Sequence, residues 1–217
     1  MKSNICYMLD EAGRDDVLDA VEQTAKACEL TKKEQLQLRL TAEELMCFLS
    51  QLPGEYEASF WLEQKKDRFE IHLTVALLMG KENLKKVLKA ADQTIQDEVN
   101  GLVTALGEFF VANAAQYVWT KLLHRKEKEV QMDPTMKDSC YTGLGVTNWS
   151  LGRYQRAVWK NGTEAQKQEL AHSILASLSD EIYLSIQQNR AEIIAVKLMR
   201  KTIENLNEIG GYDDARR

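Results

Sequence analysis

The chain has 217 residues, of which 44% are hydrophobic and 28% charged, enough for one large domain or two small ones with a true core and a well-solvated surface. Acids outnumber bases 33 to 28, a formal charge of −5, which argues against a general nucleic-acid binder. Cys6, Cys28, Cys47 and Cys140 form no Cys-x-x-Cys pair, and His72, His124 and His172 have no metal-ligand spacing; free thiols in a reducing cytoplasm fit this pattern, and no metal site is expected from it.

The first residues include no apolar stretch long enough for a signal peptide. Residues 4–9, "NICYML", read as a short strand. From Asp15, apolar residues at Val17, Leu18, Val21, Ala25 and Cys28 mark a helical stripe. A second helix opens at Thr31 with Glu34 three residues later, a capping-box pattern, and runs to about Leu52 before Pro53-Gly54. Leu38, Thr41, Ala42, Leu45, Leu49 and Leu52 fall on one face of it, and Leu36, Leu40 and Cys47 nearly opposite, so the pattern predicts a helix covered on two sides. Glu43 and Glu44 lie on the flanks, and Arg39 stands four residues before Glu43, at ion-pair spacing.

The period then becomes two. Phe69, Ile71, Leu73, Val75 and Leu77 alternate with Glu70, His72 and Thr74, and a strand over residues 56–63 precedes them through the tight turn "QKKD"; this is a β-hairpin. His72, on the polar face, is expected at the surface or partly covered. Residues 81–123 read as helix, interrupted near Asn100-Gly101. Residues 101–123 are long enough to span a bilayer, but Glu108, Asn113 and Gln116 inside them make a membrane span costly, and a long amphipathic or buried helix is expected. Residues 131–148, with Pro134 and two glycines, read as a loop. Helices follow after Ser150 and after Thr163. A second hairpin has Ile182, Leu184 and Ile186 in one strand, residues 193–199 in the next, and its turn at Gln188-Asn189. Trp119, Trp149 and Trp159 with Tyr117, Tyr141 and Tyr154 gather around the loop region, either as local core or as anchors for a partner.

The order strand, helix, helix containing "LTAEELM", then hairpin resembles the GHKL, or Bergerat, ATP-binding fold, and most closely its small serine-kinase version in bacterial anti-sigma factors. The stretches "LRLTAEELMCFLSQLPGEYEASFWLEQKKDRFEIHL" and "WSLGRYQRAV", the latter followed by "ILASLSDEIYLSIQQNRAEIIAVKL", are also similar to a group of Firmicutes proteins labelled ATP-binding. The resemblance covers most of residues 4–80 and 148–200. It implies a single two-layer α/β (α+β) sandwich over residues 1–205, a mixed, mainly antiparallel sheet with helices on one face, a helical insert at 81–148 and a loose tail at 206–217. It implies an ATP-binding regulatory protein, with a protein partner or a second copy of the chain, in the cytoplasm and off the membrane. In that family the second helix carries a Glu that activates the attacking hydroxyl and, four residues on, an Asn that binds Mg²⁺. Here Glu44 takes the place of the Glu, Arg39 and Glu43 flank it as cofactor-side neighbours, and Phe48 takes the place of the Asn. Phe offers no oxygen to Mg²⁺. The Asp-x-Gly-x-Gly turn after the hairpin is also missing, with only Gly80 in that region, and the lone "GLG" at 143–145 lies far along the chain. Two expectations therefore stand side by side: an ATP-binding regulator with weak or lost catalysis, and a non-enzymatic protein-interaction module that keeps the fold without nucleotide. No G-x-S-x-G, Walker A, dinucleotide-binding or His-Glu-x-x-His motif is present, and Cys47 reads as an inert core thiol.

Overall fold

A computed structural model describes residues 1–9, 13–78, 80–93, 102–123, 140–143 and 146–198. In chain order these form β1 (Cys6–Leu9), α1 (Arg14–Ala27), α2 (Lys32–Ser50), β2 (Tyr56–Gln64), β3 (Arg68–Leu77), α3 (Lys81–Gln93), α4 (Leu102–Leu123), β4 (Cys140–Gly143), β5 (Val146–Ser150), α5 (Leu151–Asn161), α6 (Glu164–His172), α7 (Ile174–Leu178), β6 (Glu181–Gln187) and β7 (Arg190–Leu198). The strands make one seven-stranded sheet in the order β1-β2-β3-β7-β6-β5-β4. Every pairing in it is antiparallel, where a mixed sheet was expected.

Alternation sorts the sheet into two faces. Ala58, Phe60 and Leu62 of β2, Ile71, Leu73 and Val75 of β3, Ala191, Ile193 and Ala195 of β7 and Ile182, Leu184 and Ile186 of β6 are all buried in the main core. The helices close over them: α1 lies on β1 and β2, and α5 on β5 and β6. Helix α2 packs mainly on other helices, α1, α4 and α7. Its start carries the expected capping box, with Glu34 N donating to Thr31 Oγ1 at 3.3 Å and Thr31 N donating to Glu34 Oε2 at 2.9 Å. Leu38, Thr41, Ala42, Leu45, Met46, Phe48 and Leu49 are buried. The second apolar face is covered less than its sequence suggests: Leu36 is 55% exposed, and Leu40 and Cys47 are half-buried.

The opposite face of the sheet carries the other set of side chains, and among the described residues no helix packs on it. Tyr7 and Tyr183, 77% and 49% exposed, stand on this outer face. Two backbone-directed amides fasten the open end of the β2-β3 hairpin. Asn83 at the start of α3 accepts from Glu55 N at 2.7 Å and donates to the carbonyls of Glu55 and Leu78. Asn189 donates to the Leu77 carbonyl and ties the β6-β7 turn to the end of β3.

Several boundaries differ from expectation. Residues 140–143 and 146–150 form a hairpin where a loop was predicted, because Thr147 and Trp149 pair with Ile186 and Leu184 and bury against the core. The single helix predicted after Thr163 is two, divided where the Ser173 side chain caps α7 by accepting from Ala176 N. Trp149 is buried, 5.6 Å from the Tyr154 ring, whereas Trp159 is 61% exposed. Among the described residues no helix is long and apolar enough to cross a membrane. The predicted tail at 206–217, most of the predicted loop at 131–139, Cys140's side chain and the region of Asn100-Gly101 lie outside what is described.

Candidate functional site

Two places in the fold concentrate polar chemistry. The first is the flank of α2. Glu44 is half-buried, and among the described residues it makes no hydrogen bond or ion pair. Glu43 accepts from Arg39 Nε at 3.2 Å, and Arg39 Nη1 lies 3.6 Å from Glu22 Oε2 on α1. These partners are roughly half exposed, so solvent screens the network and it adds little to stability. One turn beyond Glu44, Phe48 is 1% exposed. Its ring centroid is 6.2 Å from that of Phe110 on α4, with the planes at 28°. The position at which the family resemblance calls for an oxygen ligand therefore holds a hydrocarbon ring packed on another, and it does not fit Mg²⁺.

Immediately after the first hairpin is an open cleft of about 560 Å³ bordered by Glu55, Leu78, Gly80, Lys81, Asn83 and Lys86. The resemblance puts the adenine-reading turn at this point in the chain. Asn83 is the buried polar group here, and both its amide donors and its carbonyl oxygen are engaged by the backbone of Glu55 and Leu78. No hydrogen-bonding capacity of its N–H₂ remains for a base.

The second place is the outer face of the β2-β3 hairpin, which the sequence reading treated as a polar strand face. The turn at 65–67 fixes a register that sets Trp61 opposite His72 and Glu63 opposite Glu70. Two acids directly across a ladder repel each other. The repulsion is relieved from the turn itself: Lys65 Nζ lies 2.5 Å from Glu70 Oε2, and Arg68 Nε donates to Glu70 Oε1 at 2.7 Å. Burial pushes the Glu70 carboxyl up, but the hydrogen bonds and charges of Lys65 and Arg68 outweigh it and hold the group below the usual carboxylate range. Trp61 and His72 stack with ring centroids 4.6 Å apart and planes 7° from parallel, and Lys2 Nζ lies 4.9 Å from the Trp61 ring centre. That stack covers the imidazole, so His72 is only 7% exposed rather than at the surface.

His72 Nε2 faces Glu70 Oε2 at 3.4 Å and Glu63 Oε2 at 3.8 Å. Among the described residues neither ring nitrogen has a hydrogen-bond partner, although both are buried. Burial lowers the His72 pKa; the negative charges of Glu70, Glu192 and Glu63 oppose that shift without reversing it. The imidazole is thus neutral at pH 7, with a lone pair or an N–H directed at carboxylates. A signal for this arrangement was present in the sequence. Glu70 and His72 are two apart on a strand, and Glu63 precedes a turn short enough to bring it opposite. Searches against family models, curated proteins and solved structures returned no match to the chain.

Proposed function

We propose that this chain is a non-enzymatic protein-interaction module on a GHKL-like frame, in which the nucleotide position has been given over to packing. The observation that carries the reading is Phe48, buried against Phe110 one helical turn from Glu44. The engaged amide of Asn83, at the start of α3 beyond the β2-β3 hairpin, supports it. Exposed Tyr7, Leu9 and Tyr183 along the outer sheet face supply the aromatic and apolar surface that protein interfaces favour, and the partner is a protein or a second copy of the chain. The alternative, an ATP-binding regulator of the anti-sigma type with Glu44 as its base, draws on Glu44 being half-buried and, among the described residues, unpaired.

A thermal-shift titration with Mg-ATP separates the two. A ligand that binds only the folded state stabilises it by about 2.7 kcal/mol at a hundredfold excess over Kd. The module reading expects no shift up to millimolar Mg-ATP in a cooperatively unfolding sample. A rise that grows with Mg-ATP concentration overturns it.

A further inference from the structure

We propose that Glu63, Glu70 and His72 form a binding site for a divalent transition-metal ion, of the one-imidazole, two-carboxylate type, on the outer face of the sheet. This rests on geometry independent of the nucleotide question. One ligand atom from each of the three residues lies within 4.8 Å of the other two. Zinc bonds to nitrogen and oxygen of about 2.0–2.2 Å in a tetrahedral shell set ligand–ligand edges of roughly 3.3–3.6 Å. The two observed edges at His72 Nε2 are 3.4 and 3.8 Å, so a small rotation of the Glu63 side chain, 37% exposed, closes the shell.

The second, independent observation is His72 itself. Its side chain is 9% exposed, and Nε2 points between two carboxylates without a hydrogen bond to either. A buried polar group with no partner is costly and rare. A metal at this point would use the Nε2 lone pair and offset the charge of both acids, while Glu192 on the neighbouring strand adds negative field at the ring. All three donors sit on two paired strands, and stacking on Trp61 fixes the imidazole plane; rigid elements of this kind hold ligands in place better than loops do. Mixed nitrogen and oxygen donors suit Zn²⁺ or Co²⁺ over Ca²⁺ or Mg²⁺, and three protein ligands leave a position for water.

Lys65 is the competitor. Its ammonium sits on Glu70 Oε2, the oxygen that also faces His72, and its side chain is 42% exposed. It can swing into solvent when a metal takes its place, and Arg68 keeps the other oxygen, Oε1. Loading thus exchanges one cation for another on the same carboxylate.

The test is calorimetric titration of the untagged 217-residue chain with Zn²⁺, alongside the visible spectrum with Co²⁺. We expect one saturable equivalent, a cobalt spectrum without thiolate charge transfer, and a loss of about tenfold or more in affinity for both Glu63→Gln and His72→Gln. Glu63 is the more exposed position, so Glu63→Gln keeps the test valid if His72→Gln folds poorly. Lys65→Gln is expected to tighten binding several-fold. No saturation at millimolar Zn²⁺, unchanged affinity in Glu63→Gln, or weaker binding in Lys65→Gln overturns the proposal.

Discussion

Replacing Phe48 tests whether that residue is packing or a plug over an empty site. A fully buried aromatic side chain removes roughly 150–250 Å² from water, worth about 4–6 kcal/mol at ~25 cal/mol per Å². Phe48 is 1% exposed and stacked on Phe110, so the cavity left by Phe48→Ala cannot be filled by solvent-facing relaxation. Truncations of this kind cost about 3–5 kcal/mol, about a fifth or more of the roughly 5–15 kcal/mol that holds a domain together. Over a chain of this length that loss lowers Tm by roughly 6–20 °C. Phe48→Asn restores the residue type that the family resemblance calls for. It is expected to do worse, because a buried amide without partners adds about 1–3 kcal/mol. Urea unfolding followed by circular dichroism gives both values, and Mg-ATP titration of the same samples gives the ligand answer. A cost below about 1 kcal/mol for Phe48→Ala, or Mg-dependent ATP binding gained by Phe48→Asn, refutes the packing argument.

Three further outcomes are expected. His72 has a folded pKa below its unfolded value of about 6.5, so the unfolded state takes up the proton first. Its contribution to stability is present above that value and is lost as pH falls below it. Urea midpoints measured from about pH 7.5 to about 5 therefore fall in the native chain, and the fall is shallower in His72→Gln; parallel curves contradict the assignment. Gly54 has φ +84°, and a Cβ there would overlap Asn83 Oδ1. Gly54→Ala thus strains the backbone and displaces the amide that ties β2 to β3, an expected loss of about 2–4 kcal/mol by chemical denaturation. Thr31→Ala removes the hydroxyl half of the α2 capping box, the bond accepted from Glu34 N and the one donated to Glu34 Oε2, and is expected to cost about 1 kcal/mol, with Thr31→Ser restoring most of it.

What the sequence disclosed was local. The Thr31–Glu34 box, the alternation in residues 69–77 and 182–186 and the turn at Gln188-Asn189 each express their physics within a few residues, and each element forms where its pattern lies. The β4-β5 hairpin escaped notice because four- and five-residue strands in a stretch of glycine and small polar residues carry too few alternations to register. Leu36 shows the opposite error. An apolar residue at a helical position predicts burial only if another element arrives to cover it. The Glu63–Glu70–His72 group was missed for a third reason: each residue taken alone is an ordinary polar strand residue, and its character comes from the cross-strand partner and from the Trp61 ring laid over it. At Glu44 and Phe48 the sequence located the helix positions, while the neighbour that gives Phe48 its meaning, Phe110, stands on another helix far along the chain.

The adjacency of β3 and β7 bears on how the chain is made. β3 pairs with β2 on one side and β7 on the other, through partners such as Leu73 and Ile193. On a ribosome, β2 and β3 emerge as a complete hairpin while β7 is still about 120 residues from synthesis. At about 5–20 residues per second, the apolar edge of β3 stays open for roughly 6–24 seconds. For that interval the middle of the finished sheet is a sheet edge, with unpaired backbone groups beside Ile71, Leu73 and Val75. The nascent chain is therefore most prone to mispairing along the strand that later becomes one of its best protected.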